Sequence, residues 1–84
     1  VVEVASRYAI GDLSVDMERL PKEKAAITDA MDSVKQNLLG INGEIRRLVS
    51  AAAGGDFKQR GATDRFQYDF RGMLEQLNQL MEVS

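Results

Sequence analysis

The sequence has no cysteine, no histidine and no tryptophan in its 84 residues. Lack of cysteine excludes disulfides, thiolate metal sites and a sulfur nucleophile. Lack of histidine removes the commonest general base, the usual zinc and haem ligand, and the switch that titrates near neutral pH. Aromatic residues make up 6% of the chain, too few for a platform that stacks nucleic-acid bases or sugars. Neither charge dominates: 11 Lys+Arg stand against 13 Asp+Glu, a net charge of −2. The basic residues scatter from Arg7 to Arg71 rather than forming the concentrated face of a nucleic-acid binder. No apolar run approaches the ~18–20 residues a bilayer span needs, and no signal-peptide pattern opens the chain. The expectation is a non-enzyme, without catalytic, cofactor-binding or metal-ligating residues and without a nucleic-acid partner or small-molecule ligand.

One proline, 44% hydrophobic residues and 29% charged residues fit an all-α chain. The length suits one small domain, or two modules that each need a partner to finish a core. The apolar series Ile27, Met31, Val34, Leu38, Ile41, Ile45, Leu48, Ala52 steps 4, 3, 4, 3, 4, 3, 4. That alternation is the period of a coiled-coil seam rather than the wider stripe of an ordinary surface helix. It predicts one helix from Pro21 to Gly54, roughly 50 Å long. Shorter pieces flank it. Val1, Val4, Tyr8 and Gly11 step 3, 4, 3, and Phe70, Leu74, Leu77 and Met81 step 4, 3, 4. The last helix has a candidate start at Asp64, with Gln67 completing a capping box. The predicted order is a short helix, a connector over 12–20, a long helix over 21–54, a connector over 56–64 and a final helix over 65–84.

A shift of 44 residues lays Ala9-Ile10-Gly11-Asp12-Leu13 on Ala53-Gly54-Gly55-Asp56-Phe57, and a shift of 43 lays Ile27, Met31, Val34 and Leu38 on Phe70, Leu74, Leu77 and Met81. One unit of helix, Gly-Asp-apolar, connector and helix therefore occurs twice, over 1–40 and 41–84. Nine extended residues span roughly 30 Å, enough for a connector to return to the start of its helix and leave the next helix parallel to it. Such a pair cannot bury its stripe alone. Two copies can, as a parallel four-helix bundle about a two-fold axis. Gly40 and Gly43 interrupt the composition of the long helix, and two readings follow: a turn that splits the rod, or a soft junction between units. The phase held by Leu38, Ile41 and Ile45 favours the junction. The acidic groups Asp29 with Asp32, and Asp12 with Asp16 and Glu18, lack the pattern of a calcium loop and read as a solvated face. Arg46-Arg47 reads as an exposed coiled-coil flank.

Helix, glycine, one residue, apolar, three residues, apolar, connector, helix resembles the layout of HAMP domains, the parallel four-helix dimeric relays of bacterial chemoreceptors and sensor kinases. Gly11, Leu13 and Met17 match the family's glycine and its two connector hydrophobics. Gly55 and Phe57 match in the second unit, and Leu77-Asn78-Gln79-Leu80 resembles the family's apolar-Asn-x-apolar ending. The chain departs from the pattern at the start of each second helix, where Ala26-Ile27-Thr28 and Asp69-Phe70-Arg71 replace the common Glu and Gly, and at Gly61, which stands where Met17 stands in the first unit. Phe66 is the candidate substitute there. The resemblance implies a non-catalytic signal-relay segment of a methyl-accepting chemotaxis protein or related sensor. It implies two units stacked through one helix, a homodimer, and adjacent sensory and output modules in the same parent chain. It implies a cytoplasmic segment, with anchoring of the parent in the bacterial inner membrane left open. On this reading the connector residues are Gly11, Leu13, Met17, Gly55 and Phe57, and Gly40 and Gly43 mark the junction. The dimer core combines Val4 and Tyr8, the long stripe from Ile27 to Ala52, and the four residues from Phe70 to Met81. A monomeric helical bundle that serves as an interaction module is the competing class.

Overall fold

The computed structural model describes residues 1–83, the side chain of Glu23 excepted. Three helices carry the fold: α1 (Val2–Ala9), α2 (Ala25–Ala53) and α3 (Tyr68–Val83), with single 3₁₀ turns at Lys22–Lys24 and Thr63–Arg65. Among the described residues there is no strand, and no helix is long and apolar enough to cross a membrane. The chain divides into two compact units, Val1–Gly40 and Ile41–Ser84.

α2 is 29 residues long, about 43 Å at the usual helical rise. It continues through Gly40 and Gly43 without a break, so the region is helix and not a turn. Its start differs from the sequence expectation. Pro21 lies outside the α-helix in an extended conformation, φ −54° and ψ 161°, and its carbonyl accepts the Lys24 N–H at 2.8 Å. That three-residue closure makes a 3₁₀ turn, and α-helical bonding begins only at Ala25.

The expected start of the last helix at Asp64 is also corrected. Asp64 lies in the second 3₁₀ turn and makes no capping bond there, and α3 begins at Tyr68. The cause is Phe66. Its backbone is extended, φ −128° and ψ 164°, and its side chain is buried in the core. A helix begun at Asp64 could not keep that extended residue. Tyr68 turns the chain into α3 with φ +50°, an uncommon left-handed conformation for a tyrosine. The two long-helix starts, Ala25 and Tyr68, nevertheless stand 43 residues apart, in step with the repeat.

Each unit has its own interior. In the first, Tyr8, Met17 and Thr28 are buried. In the second, Ile41, Leu48, Phe66, Leu74 and Met81 form one cluster, with Ile45, Ala51, Ala52, Phe70 and Leu77 packed against it. Leu74 is fully enclosed.

Candidate functional site

The ends of α1 and α2 are built alike. Gly11 and Gly55 have φ +89° and +85°, the left-handed region where a side chain is strained. At the first, the Asp12 N–H donates to the Arg7 carbonyl at 2.9 Å and the Gly11 N–H to that of Tyr8 at 3.0 Å. At the second, the Asp56 N–H donates to the Ala51 carbonyl at 2.8 Å and the Gly55 N–H to that of Ala52 at 3.0 Å. This is a Schellman cap twice over, satisfying carbonyls that a helix end leaves orphaned. Each following aspartate then folds the chain back. Asp12 accepts the Ser14 N–H at 3.1 Å and its hydroxyl at 2.6 Å, and Asp56 accepts the Lys58 N–H at 3.1 Å. The Ser14 hydroxyl, then its N–H, holds the Asp12 carboxyl below the usual range. At Asp56 the Lys58 N–H, then the Gln59 amide, does the same.

Beyond the cap, the first connector leans on both helices. Met17 is buried, Leu13 is half-buried, and the Tyr8 hydroxyl donates to the Val15 carbonyl at 2.9 Å. From α2, Lys35 Nζ donates to the Val15 carbonyl at 3.1 Å and to Asp16 Oδ1 at 2.6 Å. The Asp16 carboxylate raises the Lys35 pKa. Arg19 reaches back to α2, 3.0 Å from Asp32 and 3.4 Å from Asp29. The Leu20 N–H points to the buried Thr28 hydroxyl at 3.4 Å.

The second connector is held by different side chains at related positions. Asn78 of α3 accepts the Gly61 N–H at 2.6 Å and donates to the Gly61 carbonyl at 3.3 Å. From α2, the buried Glu44 carboxylate accepts the Ala62 N–H at 2.9 Å and pairs with Arg47 at 3.1 Å. Arg47, then the Ala62 N–H, holds Glu44 below the usual carboxylate range. Arg47 also donates to the Arg60 carbonyl at 2.7 Å, and Arg71 Nε to the carbonyls of Phe66 and Thr63 at 2.8 and 3.1 Å. Phe57 is 37% exposed, and Phe66 is the connector side chain that enters the core.

The heptad residues fare differently in the two units. In the second, Ile41, Leu48, Leu74 and Met81 are buried, and Ile45, Ala52, Phe70 and Leu77 are half-buried. In the first, Tyr8 is buried and Val4, Met31 and Leu38 are half-buried, whereas Ile27 and Val34 remain 43% and 45% exposed. Ala5, Tyr8, Ala9, Met31, Val34 and Leu38 line an apolar groove of about 360 Å³. Among the described residues no group of His, Cys, Asp or Glu is placed to hold a metal ion.

Thr28, Lys35, Glu44 and Arg71 tie the connectors down but were not identified as site residues from the sequence; Asn78 was noted only as part of a terminal motif. A signal existed. Thr28 and Lys35 each follow a stripe residue directly, as Arg71 and Asn78 do, and the 43-residue shift lays the first pair on the second. Glu44 has no acidic counterpart, because the same shift lays it on Val1.

Residues 1–39 match the family model described as HAMP N-terminal domain 3. No curated protein and no solved structure matches the chain.

Proposed function

We propose that the whole chain, whose residues 1–39 match a HAMP family model, is a tandem signal-relay segment of a bacterial chemoreceptor or related sensor. Two such units act in a parallel homodimer, each completing a four-helix bundle with its copy. The segment is non-catalytic. It passes a conformational bias between sensory and output modules of one parent chain, on the cytoplasmic side of the inner membrane. Two packings of the same bundle differ by a few kcal/mol, and input at one end shifts their populations.

The observation that carries this reading is the half-exposed seam of the first unit. Ile27 and Val34 lie on an unbroken heptad, yet in the single chain each leaves over two-fifths of its surface in water beside an apolar groove. A second copy supplies the matching helices. The HAMP-like character of residues 41–84 is supported by the repeated Schellman cap, the repeated aspartate turn and the 43-residue spacing of the helix starts.

Sedimentation equilibrium at micromolar concentration should give twice the chain mass, and the unfolding midpoint should rise with protein concentration. Because the chain lacks cysteine, strand direction can be tested cleanly. Ile27→Cys and Leu38→Cys should each cross-link to its own equivalent, with no mixed product between the two variants. A monomer mass with a concentration-independent midpoint would replace the relay with the monomeric interaction module.

A further inference from the structure

The two connectors do the same job with different chemistry. Besides the backbone bonds of Val15 and Leu20, the first is tied to α2 by ion pairs of opposite polarity whose connector-side groups are exposed. The connector offers Arg19 to Asp29 and Asp32, and α2 offers Lys35 to Asp16. The Arg19 side chain is 70% exposed and that of Asp16 85%, whereas that of Lys35 is 12% exposed. The second is tied through its own backbone. Asn78 clasps both polar atoms of Gly61, Arg71 binds two carbonyls, and Glu44, with its side chain 10% exposed, holds the Ala62 N–H.

Salt acts unequally on these two kinds of contact. Between about 50 and 500 mM salt the screening length shrinks from roughly 13 to 4 Å, which weakens exposed pairs far more than shielded ones. Hydrogen bonds from an amide or a guanidinium to backbone groups carry no charge pair for salt to screen. At the second connector the shielded Glu44 carboxylate pairs with Arg47 at 3.1 Å and, at the longer distance of 4.0 Å, with Arg65 of the connector.

We propose that the first connector is an ionic-strength-sensitive latch, released as salt rises, while the second stays closed. Rising salt would then loosen the grip of Val15–Leu20 on its helix pair without touching Gly61–Phe66. As an input to signalling, this rests on the relay reading. As a property of the connector, it stands without it.

Amide hydrogen exchange on the unmodified chain tests the latch. The reporters are the Leu20 amide in the first unit and the Gly61 and Ala62 amides in the second. Between about 50 and 500 mM NaCl, exchange at Leu20 should quicken about three- to tenfold, with less than a twofold change at Gly61 and Ala62. Sucrose at matched osmolality should leave all three unchanged. The double variant Arg19→Gln, Lys35→Gln should exchange fast at Leu20 already in low salt, with no further response. Equal salt responses in both connectors, or a salt response that survives in the double variant, would overturn the proposal. Sedimentation across the same salt series separates this from the dimer. A monomer mass at every salt concentration removes the relay reading and leaves the comparison of connectors intact.

Discussion

Adding one methyl group should have opposite effects at two glycines of this chain. At Gly61 a Cβ would lie 3.1 Å from Leu74 Cδ2 and 3.3 Å from Leu48 Cδ1, closer than side-chain carbons ordinarily approach. Neither leucine has room to retreat, since Leu74 is fully enclosed and Leu48 nearly so. The backbone is held as well, because Asn78 bonds both the N–H and the carbonyl of Gly61. Overpacking of this kind costs about 1–3 kcal/mol, against about 0.4–1 kcal/mol gained by restricting the unfolded chain. Gly61→Ala should therefore destabilise by about 1–2 kcal/mol. At Gly43 a Cβ meets nothing within 4 Å, and the residue lies inside α2. There only helix propensity and unfolded-state entropy act, and Gly43→Ala should stabilise by about 0.5–1 kcal/mol. Position 43 falls on the outward side of the heptad opposite the Ile41–Ile45 seam, so a second copy should not reverse the sign. Urea unfolding at one fixed protein concentration measures both. A stabilised Gly61→Ala would refute the close approach, and a destabilised Gly43→Ala would place a neighbour where the chain has open space.

Met17→Ala should cost roughly 2–4 kcal/mol in the same assay, because its side chain is enclosed within the first unit; a loss below about 0.5 kcal/mol would make the connector a free loop. Glu44→Gln should destabilise at pH 7 by about 1–2 kcal/mol through loss of the charged bond to Arg47. The folded protein holds the Glu44 pKa below its unfolded value, so this contribution is full above pH ~4.3 and is lost as pH falls through the folded pKa. The gap between wild type and variant should accordingly close in acid, and a constant gap would show that Glu44 acts by packing alone. Spin labels at positions 34 and 48 should lie about 21 Å apart along the unbroken α2, whereas a distance near 10 Å would mean that the chain doubles back.

Period and backbone geometry were the parts of this fold readable in advance. The 3–4 alternation survives Gly40 and Gly43 because a heptad seam has meaning only on a continuous helix, and α2 is continuous there. The Gly-Asp pairs were visible because few residues other than glycine accept φ near +85° at a helix end. What escaped was set by tertiary demand. Asp64 and Gln67 have the right spacing for a capping box, yet Phe66 between them has to reach the core, and an extended phenylalanine forbids a helix begun at Asp64. Pro21 suits a first turn equally well in a 3₁₀ or an α segment, so composition alone could not locate the start of α2. Ile27 and Val34 belong to the same stripe as Leu48 and Leu74, and periodicity cannot tell which of them one chain buries.

The same contrast accounts for which parts of the unit repeat and which diverge. A helix end that must reverse direction has few backbone solutions, so the Gly11 and Gly55 caps agree bond for bond, down to the aspartate turn that follows each. A tether needs only a group long enough to meet a carbonyl or an N–H, and lysine, threonine, arginine and asparagine all meet that requirement. Thr28 and Arg71 face the same stretch of connector across eight residues, one accepting from Leu20 and the other donating to Thr63. Lys35 and Asn78 differ further, one ionic and one neutral, at a single repeat position. The cap defines the unit, and the tethers are where its response to the surroundings can change without altering the fold. Lys35→Asn should keep both caps while removing the ion pair to Asp16, and the salt response of the Leu20 amide should fall accordingly.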